Sequence, residues 1–336
     1  MEIRTLLKEL TDTFSIGHLD GAREIIGRYL DFCQIKNTGS NGLIATLNSG
    51  CEKTLLFDAH VDEIGMIVTD VSNDGFITIS NAGGIDLRHL PSKEVIIHGK
   101  EKITGIFSST PPHLSKGEEK CADSIDKIKI DTGLGDKAEK IISKGDFVTF
   151  KNTFLELGAN RVCAKALDNR AGCATLILLA NMLKSEALPV NVAFLFSDSE
   201  ELGLRGARTS AYNIDTNEAV VVDVSFGNAP SIDSQKCGKL GKGAMIGISP
   251  ILSGDISNKL LILSEDNNIP CQKEVMTEAT GTNADVISLL KSGIKTGLVS
   301  LPLRNMHTDC EIIDLRDIEN TATLLYHYVL GGGSNA

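Results

Sequence analysis

The sequence predicts an α/β fold, in which a largely parallel open sheet flanked by helices is interrupted by a smaller β-rich unit. Three observations carry this expectation. The runs Val190–Phe196, interrupted only by Asn191 near its start, and Ala219–Val222 are apolar, without the polar alternation of a half-exposed strand, as strands covered on both faces are. The first run turns polar at once, through Ser197, Asp198, Ser199, Glu200 and Glu201, where an open α/β sheet collects its ligands. Residues 65–150 change texture to short β-like segments separated by turn signals.

Taken in order, Leu6, Leu7, Leu10 and Phe14 fall at helical spacing, and Ala22–Phe32 continues with a face of Ile25, Ile26, Tyr29 and Leu30. Two amphipathic helices packed on a core follow from that spacing. Strands are expected at Leu43–Leu47 and Thr54–Phe57, the second running into Asp58, His60 and Asp62. The β-rich stretch holds Met66–Thr69, Gly75–Ile79, Glu94–His98, Ile103–Phe107 and Asp146–Phe150, with turns at Asn73–Gly75, Gly83–Gly84 and Pro111–Pro112. Short, closely spaced strands with no long helix between them predict a small barrel or sandwich. Helices then follow at Ala171–Lys184, Arg205–Tyr212, Asn258–Asn267, Val286–Lys291 and Leu315–Val329, with a strand at Thr296–Leu301. Gly238–Gly243 fits no phosphate-loop order and reads as a turn.

A chain of 336 residues, 42% hydrophobic with 32 Gly and 8 Pro, is long enough for a full core and a second domain. The expected segments are 1–64 and 154–330 for the α/β domain, 65–153 for the insert and 331–336 for a flexible tail. A net charge of −11 without a Lys/Arg run argues against a nucleic-acid partner. No apolar stretch reaches the ~20 residues of a membrane helix, and Met1–Thr5 opens no secretory signal, so the expected location is cytoplasmic. Eight scattered Cys (Cys33, Cys51, Cys121, Cys163, Cys173, Cys237, Cys271, Cys310), with no C-x-x-C pair, read as thiols of a reducing compartment.

Five residues at or just past predicted strand ends form the candidate site: His60, Asp168, Glu201, Asp223 and His307. Residues two apart on a strand share a face, so His60 projects with Asp62, a carboxylate suited to hold the other ring nitrogen of a metal-bound imidazole. Asp58 lies on the same face and is left unassigned. Asp168 reads either as the N-cap of the helix that follows or as a carboxylate bridging two metals. Adjacent Glu200 and Glu201 diverge in an extended backbone, so one can bind metal while the other handles protons; the alternative is a solvated acidic loop. Asp223 ends an apolar strand, a costly place for an unpaired carboxylate. Imidazole with carboxylate and no thiolate suits zinc, cobalt or manganese in a hydrolytic site with two metals.

Ala59–Gly65, Gly83–Asp86, Pro111–His113, Ala166–Arg170, Glu200–Ala207, Asp223, Gly241–Gly243, Gly281–Ala284 and Pro302–His307 together carry a resemblance that runs over nearly the whole chain. Through them the chain resembles the tetrahedral (TET) aminopeptidases of metallopeptidase family 42, some of which are labelled endoglucanase. The resemblance implies a three-layer α/β/α catalytic domain with an inserted, barrel-like dimerisation domain. It also implies two divalent ions: His60 and Asp223 on one, Glu201 and His307 on the other, Asp168 on both. Glu200 would then be the general base for a metal-bridging water that attacks the first peptide bond of short peptides, with Asp62 orienting His60. The family's insert builds dimers that assemble into a dodecamer. The chain departs from the family at Ser199, Asn283 and Asn305, and its Ser15–His18 stretch blurs a family pattern; all of these lie outside the implied ligands. A related two-metal N-acyl amino acid deacylase or carboxypeptidase is the alternative, since the same ligands serve either amide.

Overall fold

The structure, a computed structural model, describes residues 2–111, 113, 125, 128–230 and 232–334; Pro112, Cys121 and residues 335–336 of the expected tail lie outside them. Eight strands make the main sheet, in the order Gln34–Asn37, Leu43–Leu47, Asn191–Ser197, Thr54–His60, Glu218–Phe226, Lys295–Leu303, Ala244–Ile248 and Cys271–Val275. The four from Asn191–Ser197 to Lys295–Leu303 run parallel. An antiparallel neighbour flanks them on each side.

Side chains alternate between the two faces of a strand, so a strand between two helical layers must be apolar at every position. Val192, Phe194 and Phe196 join Phe57 and Val222 in one core, while Ala193 and Leu195 join Leu56 and Val221 in the other. Helices Ile3–Thr11, Leu167–Leu183 and Leu315–Leu330 cover the first core, and Arg205–Ala211 with Ala284–Ile287 covers the second. This is the expected three-layer arrangement. Among the described residues no helix is long and apolar enough to cross a membrane.

The β-rich stretch closes into a barrel, which decides between the two architectures anticipated. Its strands follow the order Gly65–Val71, Ile77–Ala82, Lys129–Asp131, Lys102–Phe107, Glu94–His98 and Phe147–Phe150, and the last pairs back to the first. The barrel leans on the N-terminal segment through Phe14, whose ring stacks on His98 at 4.0 Å between centroids.

Residues 331–334 differ from the loose end expected. Ser334 donates from both its backbone N–H and its hydroxyl to the buried Glu218 carboxylate, each at 2.9 Å, and Lys53 Nζ donates to Gly332 O at 2.6 Å.

The Gly238–Gly243 segment is held by one carboxylate, as Gly241 and Gly243 donate their N–H groups to the two oxygens of Asp317 at 2.7 Å each. A side chain at Gly243 would strike Pro270 O, and its φ of +84° favours glycine in any case. Burial pushes the Asp317 carboxyl up to about 6 against the pull of those hydrogen bonds. An unfolded Asp titrates near ~3.9. Between these values the folded chain keeps a proton that the unfolded chain has released, so stability falls as pH rises through the window. Denaturant midpoints measured across it are expected to decline in the wild type and to flatten in Asp317→Asn. An equal slope in both proteins would assign the effect elsewhere.

Candidate metal centre

The carboxyl ends of the parallel strands converge on one cavity. His60 is the last residue of its strand, Asp223 lies within Glu218–Phe226, Glu200 and Glu201 follow Asn191–Ser197, and His307 follows Lys295–Leu303. Asp168 comes from the start of Leu167–Leu183, where φ −77° and ψ 105° are extended rather than helical. All six line a cavity of about 300 Å³.

Asp168 is central. Its Oδ1 lies 3.2 Å from His60 Nε2 and its Oδ2 3.4 Å from His307 Nε2, so each carboxylate oxygen faces a different imidazole. Asp223 Oδ1 stands 3.7 Å from His60 Nε2, and Glu201 Oε1 stands 3.3 Å from His307 Nε2. Two donor groups result, His60–Asp168–Asp223 and Asp168–Glu201–His307, each with ligand atoms within 4.8 Å of one another. A third grouping, His60–Glu200–Glu201, meets the same criterion, but Glu200 Oε2 is farther from His60 Nε2, at 3.9 Å.

Asp62 lies beside the His60 ring, but its main chain rather than its carboxylate makes the hydrogen bond to it. His60 Nδ1 sits 3.1 Å from the Asp62 backbone carbonyl and 3.5 Å from its carboxylate, which places the ring proton on Nδ1 and turns Nε2 into the cavity. The Asp62 carboxylate also accepts the backbone N–H groups of Glu200 at 3.0 Å and Glu201 at 3.2 Å. One residue therefore holds the imidazole, through its main-chain carbonyl, and the Glu pair, through its carboxylate.

The N-cap reading of Asp168 belongs to its neighbour. Asn169 Oδ1 accepts the Gly172 N–H at 3.0 Å, and Asn169 Nδ2 donates to Val222 O at 2.8 Å, leaving the Asp168 carboxylate free for the cavity. Arg170, fully buried, donates to Val61 O at 2.5 Å, to Thr13 Oγ1 at 2.6 Å and to Leu10 O, tying the N-terminal helix to the strand that ends in His60.

Glu311, four residues past His307, belongs to none of the motifs above. Its Oε2 accepts the Asp168 N–H at 3.0 Å and its Oε1 the His307 N–H at 2.8 Å, so one buried carboxylate positions the backbone of both residues. A carboxylate that serves backbone amides has no spacing signature. Its position just past the candidate His307 was the available hint.

The departures from the family pattern are also placed. Asn283 donates to Asp58 Oδ2 at 2.9 Å and to Ser197 Oγ at 3.0 Å, beneath the cavity rather than in its wall, which gives Asp58 a partner. Asn305 adopts φ +56°, a backbone region Asn tolerates, donates to Cys310 O at 3.0 Å and does not line the cavity. Ser199 donates to Gly17 O at 2.9 Å. The glycine pair has a steric reason as well, since a Cβ on Gly84 would come within 2.9 Å of His307 Nδ1.

The electrostatics of the cavity ask for a cation. Burial pushes Glu200 up to about 9, with His60 opposing and Asp223, Glu201 and Asp168 adding to the rise. Burial likewise lifts Asp223 to about 8 and raises Glu201. Burial works against protonation of His307, yet Asp168 and Glu201 hold its proton up to about 11. His60 is raised for the same reason, the surrounding carboxylates outweighing burial. Among the described residues no Lys or Arg pairs with any of these four carboxylates. Four sheltered carboxylates with no Lys or Arg partner among the described residues, and two imidazoles aimed among them, fit a divalent-ion site.

Known proteins carry the same architecture. A family profile described as M42 glutamyl aminopeptidase matches residues 41–324. A lysyl aminopeptidase of Pyrococcus furiosus is 28% identical over 315 residues, covering 92% of this chain and 90% of the relative. Among solved structures, an aminopeptidase from the archaeon Desulfurococcus kamchatkensis superposes with a TM-score of 0.92 at 27% identity, covering 98% of this chain and 94% of that one. The Pyrococcus horikoshii TET1 peptidase, described as assembling into a tetrahedron or a large octahedral shell, gives 0.87 at 31% identity, with 98% and 99% covered. The chain therefore belongs to the M42 glutamyl aminopeptidase family and is an aminopeptidase, a hydrolase of peptide bonds.

Proposed function

We propose that this aminopeptidase works with two divalent cations and uses Glu200 as its general base. The observation that carries the reading is Asp168, with one oxygen toward each histidine. His60 and Asp223 would hold one ion, Glu201 and His307 the other, and Asp168 both. The donor set suits zinc, cobalt or manganese. Bound there, such ions polarise a carbonyl and let water ionise near neutral pH.

The chain's own groups supply the rest. Glu200 takes the proton of the attacking water on its carboxylate and passes it to the leaving amine. Burial supports this role by raising its proton affinity toward that of the group it must serve. Asp62 keeps Glu200 in register by accepting its backbone N–H, and holds the His60 ring by Nδ1. Substrates are short peptides with a free amino terminus.

Self-association through the barrel, up to a dodecamer, completes the proposal. It is supported by the shells described for the TET1 relative and by Phe76 and Ile106, which are exposed on the barrel. The named relatives are peptidases, which disfavours the N-acyl deacylase alternative. Aminoacyl anilides should be cleaved and their N-acetylated forms ignored. The opposite preference would restore the deacylase.

A further inference from the structure

We propose that Glu274 determines substrate specificity and that the enzyme prefers peptides whose N-terminal residue carries a basic side chain. The inference rests on the aminopeptidase reading above and concerns a residue behind the wall of the same cavity, joined to it through Ser225.

Beyond the metal-binding groups, that wall combines apolar Val224, Phe226 and Met306 with the hydroxyls of Ser225, Thr280 and Thr282. Among the described residues it contains no Lys or Arg to pair with an acidic side chain. Behind Ser225 stands Glu274, on the strand Cys271–Val275. The Ser225 hydroxyl donates to one of its oxygens, and the Ser300 hydroxyl donates to the other at 2.7 Å.

Among the described residues its side chain is hydrogen-bonded to these two hydroxyls and paired with no Lys or Arg. A carboxylate accepts about four hydrogen bonds, so two from serine leave capacity for an ammonium or guanidinium. A half-buried carboxylate without a counter-charge is unfavourable, and a cationic side chain that reaches it removes that penalty. Val224, Phe226 and Met306 offer apolar surface to the methylene stem of such a side chain, which keeps its charged end for polar partners. The net charge of −11 also draws cationic peptides toward the molecule.

The test compares lysyl with norleucyl anilide on the metal-loaded enzyme, since these side chains differ in the ammonium alone. Wild type is expected to show kcat/KM at least tenfold higher for lysyl, with glutamyl anilide poorest. Glu274→Gln should reduce the lysyl-to-norleucyl ratio at least tenfold, and Glu274→Asp, which keeps the charge, should retain part of it. Inhibition of wild type by free lysine and norleucine gives a readout that needs no variant, and lysine should bind at least tenfold tighter. Equal use of the two anilides by wild type, equal inhibition, or an unchanged ratio in Glu274→Gln would overturn the assignment while leaving the aminopeptidase reading in place. Absence of turnover on every unblocked aminoacyl substrate would overturn both.

Discussion

Glu200→Gln is expected to lower kcat by about 10²- to 10⁴-fold, the usual contribution of a positioned general base, with metal content, melting temperature and oligomer size unchanged. Gln keeps the volume and one acceptor oxygen but cannot take up a proton. Glu200 belongs to neither of the two donor groups that share Asp168, and its backbone N–H is held by Asp62 whatever its side chain is. The defect should therefore appear in kcat more than in KM. A variant that keeps wild-type turnover would remove Glu200 from the chemistry. One that loses metal would instead make it a ligand, as the His60–Glu200–Glu201 grouping allows.

Removal of divalent ions is the second large effect. Dialysis against a strong chelator should abolish aminoacyl-anilide hydrolysis, and readdition of zinc, cobalt or manganese should restore it. Stability should fall as well. An ion bound only to the folded chain stabilises it by about 4 kcal/mol when present at a thousandfold excess over its dissociation constant. Its loss also leaves Asp168, Glu200, Glu201 and Asp223 crowded in one sheltered cavity. His307→Ala removes a ligand from one donor group and should reduce metal content by half or more. Hydrolysis undiminished after complete demetallation would refute the two-ion mechanism. Cellulose cleavage that survives the chelator would point to a glycosidase instead.

The parts of the fold legible in the sequence are those under the strongest physical constraint. Asn191–Ser197 and Glu218–Phe226 are covered on both faces, so burial writes an unbroken apolar run. The edge strand Cys271–Val275 buries no residue fully, and Lys129–Asp131 buries only Ile130, so neither has an apolar period to detect. The site divides in the same way. His60, Asp168, Glu201, Asp223 and His307 stand at strand ends or before a helix, where topology alone makes a polar residue conspicuous. Asn169, Arg170 and Glu311 act on backbone groups up to 160 residues away, a relation no local spacing records. The choice between Asp168 and Asn169 as helix cap turned on one residue of register, which cap preferences cannot resolve for neighbours of similar chemistry.

Glu311 links the two halves of the centre mechanically. Because its oxygens clamp the main chain of Asp168 and of His307, a shift of either segment drags the other. The centre should thus behave as a single rigid unit: filling one position preorganises its companion, and titration with cations should be sigmoidal rather than stepwise.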